Sequence, residues 1–193
     1  MTSATLARVL SATAAEIATL SEPDEAAAAL LKDEMTPSQF LDALVGAEHI
    51  AGAVQFLAYA LPRREGVYWG LLCARTALGD ALGADAKATL DATETWLMEA
   101  TDENRRALLP LADKVGYGTA AGCTALAGYF SGGSITPAEF EAVEPGPELS
   151  PKMLCNALQL SAVARTPDQI PELRRLFLEK GTAIANSPCP WEL

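Results

Sequence analysis

The side chains that could act as a nucleophile or a base are few and far apart. The chain has one histidine, His49, and four cysteines, Cys73, Cys123, Cys155 and Cys189. A cysteine beside a histidine can act as a nucleophile, so one interpretation is a small helical enzyme with a pocket that uses His49 and a cysteine. However, no third, orienting group is placed near such a pair, and three of the cysteines lie in apolar helical patterns. We therefore expect no catalytic residues, with His49 at a helix cap or on the surface.

The sequence gives no sign of a bound metal or cofactor. One histidine without cysteines or carboxylates at ligand spacing does not make a transition-metal site. The turn Gly116-Tyr117-Gly118-Thr119-Ala120-Ala121-Gly122 has the glycine spacing of a dinucleotide-binding loop. That chemistry requires a preceding strand, whereas residues 105–115 have a helical pattern. We interpret the glycines as the end of one helix and the approach to the next, and we expect no cofactor.

Residues 62–75 combine aromatic and basic side chains in a chain with few aromatic residues. On a helix, Arg64, Tyr68 and Arg75 share one stripe, and Trp69 lies beside it. Two interpretations are open. Tyr68 and Trp69 can be core residues whose polar tips reach the surface. Alternatively, the four side chains form a face that binds a protein partner, since Trp, Tyr and Arg are enriched in binding hot spots. These four residues are the first candidate surface.

A second candidate surface is the acidic loop, which we define as residues 131–150. The segment is rich in glycine and proline, which interrupt helices, so we expect an exposed loop or a hinge. It also contains Glu139, Glu141 and Glu144. Their charges suit a basic partner, although an acidic loop can also serve solubility alone. We predict these glutamates as partner-binding residues that compete with the first surface.

The elements that carry these residues are predicted to be helices. Thr36-Pro37-Ser38-Gln39 combines a capping hydroxyl, a proline at the first helical position and a glutamine three residues after the cap. Apolar residues then recur at spacings of three and four, and no segment alternates as a β-strand does. We predict an all-α protein with helices near 4–20, 23–34, 37–46, 48–60, 62–79, 85–99, 102–115, 119–130, 151–165 and 170–184, and a helical turn at 137–142.

Short connections predict antiparallel neighbours, in a compact bundle or in stacked antiparallel helix pairs. We expect a single all-helical domain over residues 1–193, in which the acidic loop precedes a C-terminal helix pair at 151–185. Residues 187–193 contain Pro188 and Pro190 and cannot continue a helix. This tail is either frayed or docked through Trp191.

The net charge of −11 argues against two classes of partner. Nucleic acids and anionic membrane surfaces are both bound by clustered Lys and Arg, so neither is expected here. The longest uncharged stretch, 115–138, is rich in Gly, Ser and Thr and makes a poor bilayer span, so no membrane insertion is expected. Dispersed cysteines without a signal-peptide pattern predict a cytoplasmic protein.

Several short segments together resemble a known family. They are Thr36-Pro37-x-x-Phe40-Leu41-x-Ala43-Leu44-Val45, Phe56-Leu57-Ala58-x-Ala60-Leu61-Pro62-x-Arg64-Glu65, Trp69 with Cys73-Ala74-Arg75, Glu103-Asn104-Arg105-Arg106, Phe130-Ser131-Gly132-Gly133-Ser134, and Phe177-Leu178 with Gly181 and Ile184-Ala185. Over residues 36–185 the chain resembles a bacterial, all-helical domain family of unassigned function that is found in type VI secretion gene neighbourhoods. The family pattern has tryptophan where Tyr68 and Phe130 stand. It brings no catalytic residues.

The resemblance implies a context for the function. An accessory protein of a secretion machine would hold a protein partner, either a component of the secretion spike or effector cargo. We therefore predict a non-enzymatic protein-interaction module, an adaptor or chaperone, with a preformed helical surface centred on Arg64, Tyr68, Trp69 and Arg75. The acidic loop is the competing surface, and the enzyme using His49 and a cysteine is the alternative function.

Overall fold

A computed structural model describes residues 6–137 and 139–188, and within them the only regular elements are helices. The α-helices are α1 (Ala14–Ser21), α2 (Glu25–Ala28), α3 (Pro37–Gly46), α4 (Ile50–Ala60), α5 (Arg63–Leu78), α6 (Ala84–Met98), α7 (Asp102–Val115), α8 (Ala120–Tyr129), α9 (Leu149–Val163) and α10 (Ile170–Asn186). The all-α prediction is confirmed. Across these described ranges, no helix combines the length and the apolar character needed to cross a membrane.

Side-chain caps determine where several helices begin. Thr36 Oγ1 accepts the Gln39 N–H at 3.3 Å, and Gln39 Oε1 accepts the Thr36 N–H at 2.9 Å, which completes a capping box. Thr101 and Thr119 cap α7 and α8 through their hydroxyl groups. Each cap satisfies a backbone N–H that the first helical turn leaves unpaired. For this reason the predicted starts of these three helices agree with the structure to within one residue.

The first two helices are shorter than predicted. The helix predicted from residue 4 begins only at Ala14, because Thr13 caps it and the preceding residues are held elsewhere. Arg8 N–H donates to Ala185 O at 2.9 Å, which ties this segment to the end of α10. Helix α2 covers a single turn, and Glu34, at φ 62°, stands where the prediction had helix. Tertiary contacts and local turns override the helix propensity of the alanines here.

The helical turn predicted at 137–142 is not a helix. The N–H of Phe140 donates to Pro137 O at 3.1 Å and closes a tight turn, in which residue 138 lies outside the described residues. Helix α9 begins at Leu149, two residues before the predicted start at 151. The acidic loop is therefore irregular up to that point.

Helix α8 lies between the helices that carry the candidate sites. All ten of its residues are buried, and it packs against α5, α6, α7 and α9. Small residues permit this close approach. A methyl group at Gly128 would lie 2.7 Å from Leu108 Cδ1, and one at Gly70 of α5 would lie 2.9 Å from Leu154 Cδ1. Because leucine side chains of neighbouring helices lie directly on these glycines, α7 packs closely on α8, and α9 packs closely on α5.

Helix α4 organises the remaining helices, since it packs against α1, α3, α9 and α10. Phe40 of α3 and Phe56 of α4 meet edge to face, with ring centroids 4.9 Å apart. Aromatic pairs in this geometry add to the stabilisation that burial provides. The N-terminal helices are thereby joined to the C-terminal helix pair.

Candidate functional site

The first candidate surface, on α5, is mostly buried. Trp69 is 0% exposed, and its indole Nε1 donates a hydrogen bond to Phe177 O at 2.7 Å. Tyr68 is also buried, and burial, with a smaller effect of Glu94, raises the pKa of its hydroxyl. An exposed face containing these two rings is therefore wrong. Because α6, α8, α9 and α10 all pack on α5, both rings belong to the core.

The two arginines of that surface connect α5 to α6. Arg64 Nε donates to Leu97 O at 2.9 Å. Arg75 pairs with Glu94 Oε2 at 2.7 Å and with Asp91 Oδ1 at 2.9 Å. The hydrogen bond from Arg75 lowers the pKa of Glu94. These contacts within the chain account for the positions of both arginines, and partner binding by Arg64 and Arg75 stays a prediction.

His49 caps α4. Its Nδ1 accepts the N–H of Gly52 at 3.4 Å, and its Nε2 lies 2.9 Å from Asp24 Oδ1. The backbone N–H of Ala27 and, after it, the hydrogen bond to His49 lower the pKa of Asp24. Both ring nitrogens are thus engaged in joining α2 to α4. Of the two positions that we expected for His49, a helix cap or the surface, the structure shows the cap, with an aspartate partner that the sequence did not indicate.

Burial makes the described cysteines poor nucleophiles. It raises the pKa of Cys155 to about 12, and it also raises the pKa of Cys73 and of Cys123. These three thiols are protonated at neutral pH, whereas nucleophilic attack requires the thiolate. Cys189 lies outside the described residues. The alternative enzyme with a His49–cysteine pair therefore gains no support from these three thiols.

We expect Cys73, Cys123 and Cys155 to resist alkylation in the folded protein. Because their raised pKa values leave little thiolate at pH 7, iodoacetamide should modify Cys73 and Cys155 at least roughly a hundredfold more slowly than in the urea-unfolded chain. Cys123 should also react more slowly than in the unfolded chain, because burial raises its pKa in the same direction. Mass spectrometry of the digested protein measures the modification of each cysteine. Rapid labelling of one of the three in the native protein, lost in His49→Ala, would instead support the enzyme.

Hydrogen bonds within the acidic loop close its base. Ile135 N–H donates to Val143 O at 2.8 Å, and Val143 N–H donates to Ser134 Oγ at 3.2 Å. The hydroxyl of Thr136 donates to Glu141 O at 2.8 Å. These bonds bring the two ends of residues 135–143 together, as in an Ω-loop. The two sides of the base of the acidic loop are therefore held together by hydrogen bonds.

Arg105 of α7 anchors this base to the helices. Its buried guanidinium donates from Nη1 to Tyr129 O at 2.7 Å and from Nη2 to Ser134 O at 2.8 Å. Nε donates to Asp102 Oδ1 at 3.0 Å, and the guanidinium carbon lies 5.2 Å from the centre of the Tyr129 ring. Gly133, at φ 68°, bends the chain so closely that a methyl group there would lie 3.1 Å from Arg105 Nε. One side chain thus joins α7, α8 and the acidic loop.

The sequence did not predict this anchor. Residues 103–106 and 130–134 were both among the segments of the family resemblance, but no role followed for either. The structure brings them together through Arg105, and the neighbouring Arg106 Nη1 donates to Thr136 O at 2.8 Å. Two features of the sequence could have indicated the anchor. They are the arginine pair Arg105-Arg106 in an acidic chain and the Gly132-Gly133 turn that precedes the glutamates of the loop.

The anchored loop presents apolar and acidic side chains to solvent. Phe140 is 65% exposed and Val143 is 48% exposed. Glu139, Glu141 and Glu144 are exposed as well. We call these five residues the loop tip. Among the residues that the structure describes, no three His, Cys, Asp or Glu side chains are grouped to hold a metal ion. A large apolar ring exposed on a structured loop is a feature of binding surfaces, so the loop tip is the strongest candidate site.

Residues 40–185 match a family of unknown function, DUF6931. The chain belongs to this family. No curated protein and no solved structure matches the chain. The DUF6931 region includes α5, Arg105 and the acidic loop, whereas α1 and α2 precede it. The candidate surfaces are therefore part of the family domain, and the family assigns no role to any of their residues.

Proposed function

We propose that this protein is a non-enzymatic interaction module whose loop tip binds a protein partner. The observation that carries the proposal is the 65% exposure of Phe140 on a loop whose base is fixed by buried Arg105. A loop held in one conformation before binding loses less conformational entropy when the complex forms. The exposed ring would supply the apolar contact at the centre of the interface.

The charge of the loop tip defines the kind of partner. Glu139, Glu141 and Glu144 surround the apolar residues, so the partner should have an apolar pocket for Phe140 with Lys or Arg at its rim. The net charge of −11 attracts such a surface over a longer range. Nucleic-acid phosphates would be repelled by the same charges, which favours a protein as the partner.

The biological setting that we propose comes from the family resemblance. It is that of an accessory adaptor or chaperone of a bacterial type VI secretion system, acting in the cytoplasm. The partner in that setting is a component of the secretion spike or effector cargo. The sequence resemblance alone supports this setting, whereas the geometry of the loop tip supports the binding surface.

The competing surface on α5 is less suited to the same task. Trp69 and Tyr68 have little or no exposed area, and Arg75 is already paired with two carboxylates. A partner that used these residues would have to separate α5 from α6. The loop tip requires no such rearrangement.

The proposal predicts a large loss of affinity when the exposed ring is removed. The partners to test are the spike components and effectors encoded beside the gene, with binding measured by calorimetry and surface plasmon resonance. Phe140→Ser should weaken binding roughly thirtyfold, because an aromatic hot spot contributes about 2 kcal/mol. Replacing Glu139, Glu141 and Glu144 together with glutamine should slow association and reduce its dependence on salt.

Matched controls distinguish this site from a general surface effect. Met98→Ser removes another exposed apolar side chain, at the end of α6. Glu103, Glu172 and Glu179, changed together to glutamine, remove the same number of exposed charges elsewhere. Both controls should bind as the unchanged protein does. The proposal fails if none of the neighbouring proteins binds, or if Phe140→Ser retains full affinity.

A further inference from the structure

We propose that a pocket between α4, α9 and α10 binds a small free carboxylic acid, with the apolar group inside the pocket and the carboxylate on Arg174. The pocket has a volume of about 120 Å³. It is lined chiefly by Val54, Gln55, Cys155, Leu158, Arg174 and Phe177. We call it the three-helix pocket. No loop-tip residue lines it, so this inference is independent of the proposed function. The tail at 189–193, with Trp191, lies outside the described residues, and the pocket is defined without it.

The three-helix pocket forms where the same spacing recurs on three helices. Residues 51, 54 and 55 of α4 line it, as do residues 155, 158 and 159 of α9 and residues 174 and 177 of α10. Positions three and four apart share one face of a helix, so each helix contributes one stripe of side chains. A site built on helices holds its side chains more precisely than a site built on loops.

The inner part of the pocket is apolar. Val54, Leu158 and Phe177 line it, and all three are buried. A cavity of roughly 150 Å³ accepts a benzene ring, so a volume of about 120 Å³ suits an aliphatic group of about four carbons. Binding such a group is favourable because it removes apolar surface from water.

Arg174 supplies the charge that would bind the carboxylate. Within the described part of the chain its guanidinium makes a single hydrogen bond, from Nη2 to Gln159 Oε1 at 3.4 Å. Such bonds are usually about 2.7–3.2 Å long, so this one is weak and most of the N–H donors stay available. A planar guanidinium matches the geometry of a carboxylate.

The charges around the pocket favour a ligand with a single negative charge. Among the described residues that line the pocket, Arg174 is the only cation and none is acidic. The net charge of −11 repels anions that carry several charges, such as phosphate esters. One carboxylate balances one guanidinium.

Cys155 adds a donor that is compatible with such a ligand. Burial raises the pKa of its thiol to about 12, so the thiol is neutral at pH 7. It is not part of a disulfide, and no residue that the structure describes accepts a hydrogen bond from it. A neutral thiol is a weak donor with an apolar character, so it can line the pocket beside an anion without repelling it.

Methyl nuclear magnetic resonance of the full-length chain, with 3-methylbutanoate as the probe, tests this proposal. We expect a saturable shift of the methyl signals of Val54 and Leu158, with a Kd of about 1–10 mM. The methyl signals of Leu108, which contacts Gly128, should stay unchanged. Acetate lacks the apolar group and 3-methylbutanamide lacks the charge, so each should bind at least roughly tenfold more weakly.

Matched variants connect the binding to the pocket. Arg174→Gln should weaken it at least roughly tenfold, whereas Arg175→Gln, at the next and more exposed arginine, should not. Ala51→Leu extends an exposed side chain over the pocket and should abolish binding. Ala183→Leu makes the same change at an exposed position of α10 outside the lining and should leave binding intact. Circular dichroism and thermal unfolding verify that each variant is folded.

Three outcomes would overturn the proposal. In the first, the signals of Val54 and Leu158 show no saturable shift up to the highest soluble concentration of 3-methylbutanoate. In the second, the amide binds as tightly as the acid, or Arg174→Gln binds as tightly as Arg175→Gln. The third uses an N-acetylated peptide that ends in leucine and carries the same apolar group and a carboxylate. If this peptide binds at least roughly tenfold more tightly than the free acid, the pocket recognises the end of a protein chain instead.

Discussion

Replacing Arg105 with methionine is expected to lower the free energy of unfolding by about 2–5 kcal/mol. The change removes the donors to Tyr129 O and Ser134 O while keeping much of the length of the side chain. A buried acceptor left without a donor costs about 1–3 kcal/mol, and two lose their donor here. The loss of the ion pair with Asp102 adds little to this cost, because Asp102 is largely exposed. Urea denaturation followed by circular dichroism measures the change.

The destabilisation should be concentrated at the acidic loop, which distinguishes an anchor from an ordinary core residue. Amide hydrogen exchange of Ile135 and Val143 should accelerate in Arg105→Met, since the loop base loses the buried bond from Arg105 to Ser134 O and keeps the more exposed bond from Arg106 to Thr136 O. Arg106→Met is the matched control, and because Arg106 is half-exposed it should cost at most about 1 kcal/mol. Equal costs for the two variants, or unchanged exchange at Ile135 and Val143, would contradict the anchoring role.

Truncating Trp69 should have a comparably large effect. Trp69→Ala is expected to lower the free energy of unfolding by about 3–5 kcal/mol, because it empties the volume of a fully buried indole. It also leaves Phe177 O without its donor. Chemical denaturation measures this change. Tyr117→Ala is the control, because Tyr117 is an exposed aromatic residue, and it should lower the free energy of unfolding far less. A cost near that of the control would place Trp69 outside the core.

A double-mutant cycle can test the closest contact of this indole. A methyl group at Gly181 would lie 2.6 Å from Trp69 Cε2, so Gly181→Ala should destabilise the protein through overpacking by about 1–3 kcal/mol. Trp69→Phe leaves a smaller ring at that position. The double variant should therefore be more stable than the sum of the two single effects predicts. If the effects of the two substitutions on the free energy of unfolding are strictly additive, the side chains at positions 69 and 181 are not in steric conflict.

Local chemistry was sufficient to predict most helices. The capping hydroxyl of Thr36 and the proline after it fixed the start of α3 in the sequence, and the helix predicted at 62–79 is present at 63–78. The helix predicted at 4–20 failed because the backbone of Arg8 bonds to Ala185, a residue far along the chain. No pattern within residues 4–20 contains that information.

The spacing of apolar residues could not predict which side of α5 faces solvent. Assigning stripes to faces assumes that one side of a helix meets solvent, but residues 66–71 of α5 are buried without interruption. Four neighbouring helices surround it. Trp69 was therefore compatible with a core position and with a surface position until the packing was known.

The candidate site was predicted in part. Its composition indicated that Glu139, Glu141 and Glu144 would be exposed, and they are. The hydrogen bonds that close the loop and tie it to the helices, from Ile135 to Val143 O and from Arg105 to Ser134 O, were not predicted from composition. Composition predicts where a loop lies in the chain. It does not predict the hydrogen bonds that fix the conformation of the loop.

Helix α8 limits how the molecule can open. A ten-residue helix is marginal by itself in water, and this one would expose apolar surface on every side. Helices α5 and α9 cannot move away from α6 and α7 without uncovering one flank of α8, so large hinge motions between these pairs are strongly opposed. Conformational adjustment to a partner is consequently restricted to the periphery of the fold.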